Sequence, residues 1–126
     1  MADTIIDLDR ALALLTRVVE VKGEDYVYPN WNNDCRYADY GPDGERVPGC
    51  IVGYALIEAG VPLDDLTELE GSVRSLVNEH VLEETVGVQL TPAAMRAWQA
   101  AQESQDDGSP WGKALIEAKH AAEEEK

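Results

Sequence analysis

Apolar residues recur at alternating steps of three and four near the start of the chain. The positions are Ile5, Leu8, Leu12, Leu15 and Val19. This spacing places apolar side chains on one face of an α-helix, and Gly23 after it is a common kind of helix end. The preceding Thr4-Ile5-Ile6-Asp7 has the form of a capping box. We therefore predict a first helix that begins at Thr4 and ends at Gly23.

Further helix signals follow in the second half of the chain. A short apolar run from Cys50 to Ala59 predicts a buried helix that Gly60 ends. Ser72 is a candidate N-cap for another helix, which carries apolar residues to about Val81. Thr91-Pro92 and Ser109-Pro110 each combine a capping residue with a proline, which is typical of a helix start. Residues 82–90 are compatible with an extended connection as well as with helix.

The region between the first two helices has turn residues in place of helical periodicity. Tyr26-Val27-Tyr28 alternates like a strand and could pair with Arg36-Tyr37-Ala38 as a small hairpin. Gly53 lies inside the predicted second helix, where glycine lowers stability by roughly 1 kcal/mol relative to alanine. We therefore expect another part of the chain to pass close to the backbone of Gly53.

These patterns define the fold class. We predict a mainly α protein with one small domain over residues 1–126. It has about five helices, and an irregular loop or short β-hairpin follows the first of them. Residues 119–126 form an acidic, Ala/Glu-rich end, where we expect the last helix to fray.

The net charge of the chain limits the kinds of partner that it can bind. Asp and Glu number 25 against 10 Lys and Arg, which gives a net charge of −15. A surface of this sign disfavours direct binding to nucleic-acid phosphates and a basic protein surface is the better partner. The sequence has neither an apolar run of transmembrane length nor the pattern of a signal peptide. We expect a cytoplasmic protein that does not bind membranes, and its oligomeric state is left open.

The two cysteines allow several interpretations. Cys50 at a helix start could be an activated nucleophile, with His80 or His120 as a base, which would make the protein a cysteine-dependent hydrolase. Burial of Cys50 as a packing residue is the better explanation. A zinc site of Cys35, Cys50, His80 and His120 lacks the closely paired ligands that such sites usually have. In a reducing cytosol we expect both cysteines to be free thiols, and a disulfide between them is expected only in an oxidising compartment. We predict neither a metal nor a cofactor.

Aromatic residues cluster just after the first helix. Five of the eight in the chain lie between Tyr26 and Tyr40, interleaved with asparagines and Arg36. Tyrosine, tryptophan and arginine are enriched in the residues that dominate protein–protein binding. The predicted partner-binding residues are Tyr28, Trp31, Asn33, Arg36, Tyr37 and Tyr40. The alternative is that the aromatic rings cover the first helix and fill the core.

A second polar and aromatic cluster lies between the last two helices. It contains Gln102, Gln105, Asp106, Asp107, Trp111 and Gly112. Helix ending, helix capping and close packing explain these residues without a function. Asp106 and Asp107 are poor candidates for a metal or acid–base pair, since adjacent side chains at a helix end diverge.

Two stretches carry a resemblance to known proteins. Cys50-Ile51-Val52-Gly53-Tyr54-Ala55-Leu56, running to Ala59-Gly60-Val61, and Ala101-Gln102 through Gln105-Asp106 to Trp111-Gly112 resemble small proteins of actinobacteria and their phages, mycobacteriophages especially. This group has no assigned activity, so the resemblance transfers no catalytic residue. It implies a cytoplasmic accessory protein made by the bacterium or during phage infection, in the latter case in the host cytoplasm.

The sequence therefore predicts a non-enzymatic accessory protein that binds a basic host or phage protein through the aromatic loop. Three other classes stay open. The loop and the Cys50 helix could enclose a nucleotide or metabolite, Cys50 could be catalytic, or the negative charge could mimic a nucleic acid.

Overall fold

The structure, a computed structural model, describes residues 4–28, 37–40, 43–69 and 72–124. Seven helices and four short strands lie in this part of the chain. The helices are α1 (Leu8–Lys22), α2 (Ile51–Glu58), α3 (Leu63–Leu66), α4 (Val73–Asn78), α5 (Val81–Val86), α6 (Pro92–Asp106) and α7 (Trp111–Glu124). The strands are β1 (Thr4–Ile6), β2 (Ala38–Tyr40), β3 (Arg46–Pro48) and β4 (Val88–Leu90). The predicted mainly α class with a short hairpin after the first helix is confirmed.

The first helix begins later than the sequence pattern predicts. Thr4 lies in β1, and the N-cap of α1 is Asp7, whose Oδ1 accepts a hydrogen bond from Arg10 N at 2.9 Å. The predicted cap at Thr4 is therefore wrong, because Thr4 is extended and pairs with β4. The predicted end is confirmed: Gly23 has φ 99°, a left-handed conformation that glycine adopts without strain.

Helix α6 lies at the centre of the packing. It contacts α1, α2, α4 and α7, and α7 contacts α1 as well. Thr91 and Pro92 start it as predicted, since the Thr91 hydroxyl accepts from Ala94 N. Trp98 is fully buried, and its indole Nε1 donates to Ala11 O at 3.1 Å. This bond fixes α6 against α1.

Two short strands far apart in sequence form a parallel pair. β1 pairs with β4 in the register Thr4 with Val88, Ile5 with Gln89 and Ile6 with Leu90. Ile6 is buried, whereas Ile5 is 67% exposed. Ile5 therefore does not belong to the apolar face of α1, contrary to the sequence prediction.

The hairpin uses different residues from those predicted. β2 and β3 are antiparallel, with Ala38 opposite Pro48 and Tyr40 opposite Arg46. Tyr26–Tyr28 is not a strand, so the predicted pairing of that segment with residues 36–38 is wrong. The carbonyl oxygen of Tyr26 instead accepts a hydrogen bond from Trp111 N, at the start of α7.

The last helix continues through most of the segment where we expected fraying. α7 extends to Glu124, and both Ala118 and Ala122 are buried. None of the helices in the described ranges combines the length and apolar character that crossing a membrane requires.

Candidate partner-binding surface

The structure separates the predicted contact residues into two groups. Tyr28 and Tyr37 are only 2% and 1% exposed, so their rings lie in the core and cannot meet a partner on the surface. For these two residues the predicted contact role is wrong, because their rings contribute more by filling the interior of a domain that has no Phe. Tyr40 ends β2. Trp31, Asn33 and Arg36 lie outside the described residues, and their role stays a prediction.

Tyr37 is held by its backbone as well as by its ring. Its carbonyl oxygen accepts a hydrogen bond from Gly49 N at 3.1 Å. A Cβ on Gly53 would lie 3.1 Å from the Tyr37 Cα and closer still to the Tyr37 carbonyl oxygen. The close approach that the sequence predicts at Gly53 is thus found, and the approaching segment is Tyr37. Direct contact here leaves no room beside Gly53 for a ligand.

The Tyr37 hydroxyl is part of a buried polar network. Gln102 Nε2 donates to it at 2.9 Å. Burial raises the pKa of Tyr37 from 10.0 to about 12, the hydrogen bond from Gln102 opposes this rise, and the negative charge of Asp106 adds to it. The hydroxyl therefore stays protonated at neutral pH and acts as a structural group.

Three glutamines of α6 cap two other helices. Gln105 Oε1 accepts from Ile51 N, the first amide of α2, at 2.7 Å. Gln102 Oε1 accepts from Val73 N at 3.0 Å, and Gln99 Oε1 accepts from Arg74 N at 2.9 Å, both in the first turn of α4. Helix N-termini have amides without intrahelical partners, and these side chains satisfy them from outside. The glutamine cluster is therefore structural.

The corner after α1 holds a partly exposed aromatic cluster. The ring of Trp111 makes edge contacts with Tyr26 at 4.6 Å and with Tyr54 at 5.6 Å between centroids. Lys22 Nζ lies 4.4 Å from the Tyr26 centroid and 5.2 Å from that of Tyr54, distances at which a cation is attracted to a ring face. Gly112 N donates to Glu24 O at 2.9 Å, and a Cβ on Gly112 would meet Glu24. These contacts join the end of α1 to the start of α7.

Cys50 does not present a free thiol, so the expectation of a free thiol at this position is wrong. It is fully buried and disulfide-bonded, and the one other cysteine of the sequence, Cys35, lies outside the described residues. His80 and His120, the candidate bases, are both exposed, and His80 Nδ1 lies 4.0 Å from a Glu83 oxygen. This geometry gives no support to a Cys50 nucleophile. The part of the chain that the structure covers has no group of three or more His, Cys, Asp or Glu arranged to hold a metal ion.

The surface formed by the described residues is rich in carboxylates. Every Asp and Glu whose exposure the structure describes is exposed or partly exposed. Ion pairs between described residues are Arg17 with Glu58 at 3.8 Å and His80 with Glu83 at 4.0 Å. Asp106 accepts from Gln105 Nε2 at 3.0 Å, so it belongs to the glutamine network and not to an acid pair with Asp107.

No protein family, curated protein or solved structure matches this chain. The resemblance to proteins of actinobacteria and their phages therefore stays a prediction.

Two features of the structure are not predicted from the sequence. The spacing of Gln99, Gln102 and Gln105 is visible in the sequence, but nothing near them indicates which amides they cap. Ile5 is apolar and in register with the helical pattern, so only its distant pairing with Gln89 reveals that it is on a sheet.

Proposed function

We propose that this chain is a non-enzymatic accessory protein of actinobacteria or their phages, and that it binds a basic surface of a host or phage protein. The excess of solvent-facing carboxylates is the observation that carries this proposal. The net charge is −15, and the Asp and Glu side chains whose exposure the structure describes are exposed or partly exposed, so over that part of the chain the negative charge faces solvent.

A surface of this kind acts at long range. Opposite charge on a partner speeds association and excludes partners of the same sign, although it contributes less to affinity than a well-packed contact does. Specific side-chain contacts must therefore contribute to the affinity in addition to the charge. Of the predicted contact residues, Trp31, Asn33, Arg36 and Tyr40 keep this role, whereas Tyr28 and Tyr37 are buried and do not.

The internal packing supports binding by the surface over binding in a cavity. A small ligand between the loop and α2 is the alternative, and beside Gly53 of α2 the backbone of Tyr37 occupies that space. The Tyr37 ring is fixed by Gln102, whose side chain also caps α4. Opening a pocket there would break these bonds.

Affinity capture tests the proposal. The tagged chain is incubated with an actinobacterial lysate beside three variants: Trp31→Ala, the double variant Glu20→Gln/Asp25→Asn, and the control Glu123→Gln. Glu20 and Asp25 are exposed and flank the corner after α1, and Glu123 lies at the far end of the chain. We expect one basic protein that the wild type and the control retain, that the double variant retains in smaller amount, and that Trp31→Ala loses. Equal retention by all four proteins would contradict the proposal.

A further inference from the structure

β1 is an open edge of its sheet. Within the described residues, β1 and β4 form a sheet of only two strands. Parallel sheets are usually larger and covered, and a two-stranded ribbon is marginally stable alone. Unpaired backbone groups on such an edge are a template on which another strand can add.

The hydrogen bonds show which backbone groups face outward. Thr4 N donates to Gly87 O, and Ile6 O accepts from Thr91 N, both at 3.1 Å. Residues 4 and 6 therefore direct their backbone groups towards β4. Because these directions alternate along a strand, the N–H and C=O of Ile5 point to the opposite side. Ile5 thus offers one donor and one acceptor at the free edge.

The side chains beside this edge define the chemistry of a partner. Asp7 is extended, with φ −87° and ψ 179°, so its side chain lies on the same face as that of Ile5 two residues earlier. Ile5 is 67% exposed, Asp7 is exposed, and so is Gln89, which is opposite Ile5 in register. An added strand would place an apolar residue beside Ile5 and a basic residue beside Asp7.

A second copy of the chain fits this edge poorly. Pairing β1 with its own copy brings together two molecules of charge −15, each with Asp7 directly after the pairing strand. Like charges on neighbouring strands are destabilising. Charge complementarity therefore selects a basic extended segment of a different protein.

We propose that the free edge of β1 binds such a segment by strand addition, with the hydrogen bonds made to Ile5. The partner segment alternates an apolar and a basic residue on the face that meets Ile5 and Asp7. This inference rests on the proposed function and assigns it a contact surface in addition to the predicted loop.

The test uses a labelled, acetylated peptide that repeats Lys-Thr-Val-Thr, which puts Lys and Val alternately on one face. Its control is the same peptide with every backbone amide N-methylated, which keeps the charges and removes the donors. The protein variants are Ile5→Pro, which removes the outward N–H, and Ile5→Thr, which keeps it. Proline suits an edge strand whose N–H faces solvent. Circular dichroism establishes that each variant is folded, and hydrogen exchange of the Ile5 amide in the wild type gives a readout independent of any variant.

We expect the wild type to bind the repeat peptide and to protect the Ile5 amide from exchange. N-methylation of the peptide or Ile5→Pro should weaken binding about tenfold, the factor that corresponds to one hydrogen bond, and Ile5→Thr should weaken it less. Equal, salt-sensitive binding of both peptides would overturn strand addition and leave the acidic-surface proposal standing. No binding of either peptide would also overturn strand addition, and the affinity capture described above would then test the acidic-surface proposal by itself. Sedimentation showing a dimer that Ile5→Pro dissociates would assign the edge to a second copy instead.

Discussion

The side-chain oxygen of Gln105 accepts a hydrogen bond from the backbone N–H of Ile51 at a distance of 2.7 Å, and both residues are fully buried. Through this bond a residue of α6 caps the N-terminus of α2, whose own N-cap residue, Cys50, makes no side-chain capping bond. The orientation of α2 thus depends on α6. The segment around Tyr37 depends on both helices, because it packs on Gly53 and bonds to Gln102.

Replacing Gln105 with alanine should destabilise the protein by about 1–3 kcal/mol, the usual cost of leaving a buried donor without a partner. Gln99→Ala is the matched control. It removes the same side chain from the same helix, but its bond to Arg74 N is exposed, so water can replace it. Urea unfolding monitored by tryptophan fluorescence measures both variants. Equal losses of stability in the two variants would show that the buried cap made by Gln105 contributes no more than the exposed cap made by Gln99.

The sign of the stability change caused by Gly53→Ala tests the close contact with Tyr37. In an unhindered helix, alanine is more favourable than glycine by roughly 1 kcal/mol. Here the added Cβ meets the backbone of Tyr37, which cannot rotate away, so we expect a net destabilisation of about 1–3 kcal/mol. The melting temperature and urea midpoint give the result. A variant more stable than the wild type would contradict the contact.

Stability should fall at high pH because of Tyr37. Burial raises the pKa of Tyr37 from 10.0, the value for an exposed tyrosine of the unfolded chain, to about 12 in the folded protein. The folded state therefore holds the proton more tightly than the unfolded state does. The stabilisation is complete below pH 10 and is lost as pH rises from 10 to 12. It amounts to about 2–3 kcal/mol over that window.

Tyr37→Phe is the control for this pH dependence. Phenylalanine has no proton to lose, so the variant should lose less stability than the wild type between pH 10 and 12. The difference between the two urea-unfolding curves measures the contribution of Tyr37, and absorbance at high pH follows ionisation of the tyrosines. If the stability of both proteins changed with pH in the same way, the predicted effect of burying the Tyr37 hydroxyl would be contradicted.

The Cys50 disulfide should also contribute to stability. Reduction is expected to lower the unfolding free energy by about 2–4 kcal/mol, the typical effect of a native disulfide. Cys50→Ser should show the same loss and no further response to reductant. Mass spectrometry with a thiol-directed probe adds a chemical test, because the native protein should not be labelled before reduction. Labelling of Cys50 in the untreated native protein would revive the nucleophile hypothesis.

Local signals predicted much of the helical frame. Ser72 and Thr91 cap the helices that follow them, and Gly23 ends the first helix, since each of these effects involves residues within one turn. The cap of α1 was misplaced for a local reason too. Thr4 and Asp7 are both capping residue types, and only the pairing of Thr4 with Val88 decides between them.

The site was less predictable because its contacts are distant in sequence. Aromatic residues near Tyr26 suit an interface and a core equally well, and the choice for Tyr37 depends on Gln102, which is far along the chain. The exposure of Ile5 likewise depends on β4. Gly53 is the exception, since a glycine within an apolar helix is itself a sign of close packing.

The most direct test of the proposed function is the salt dependence of affinity for the captured basic protein. Surface charges are screened over about 10 Å at 0.1 M salt, so raising the salt concentration should weaken a complex that depends on the acidic surface. We predict a steep loss of affinity for the wild type and a shallower loss for Glu20→Gln/Asp25→Asn, with slower association as the main change. Affinities that do not change with salt, or identical salt dependence for the two proteins, would contradict binding through the acidic surface.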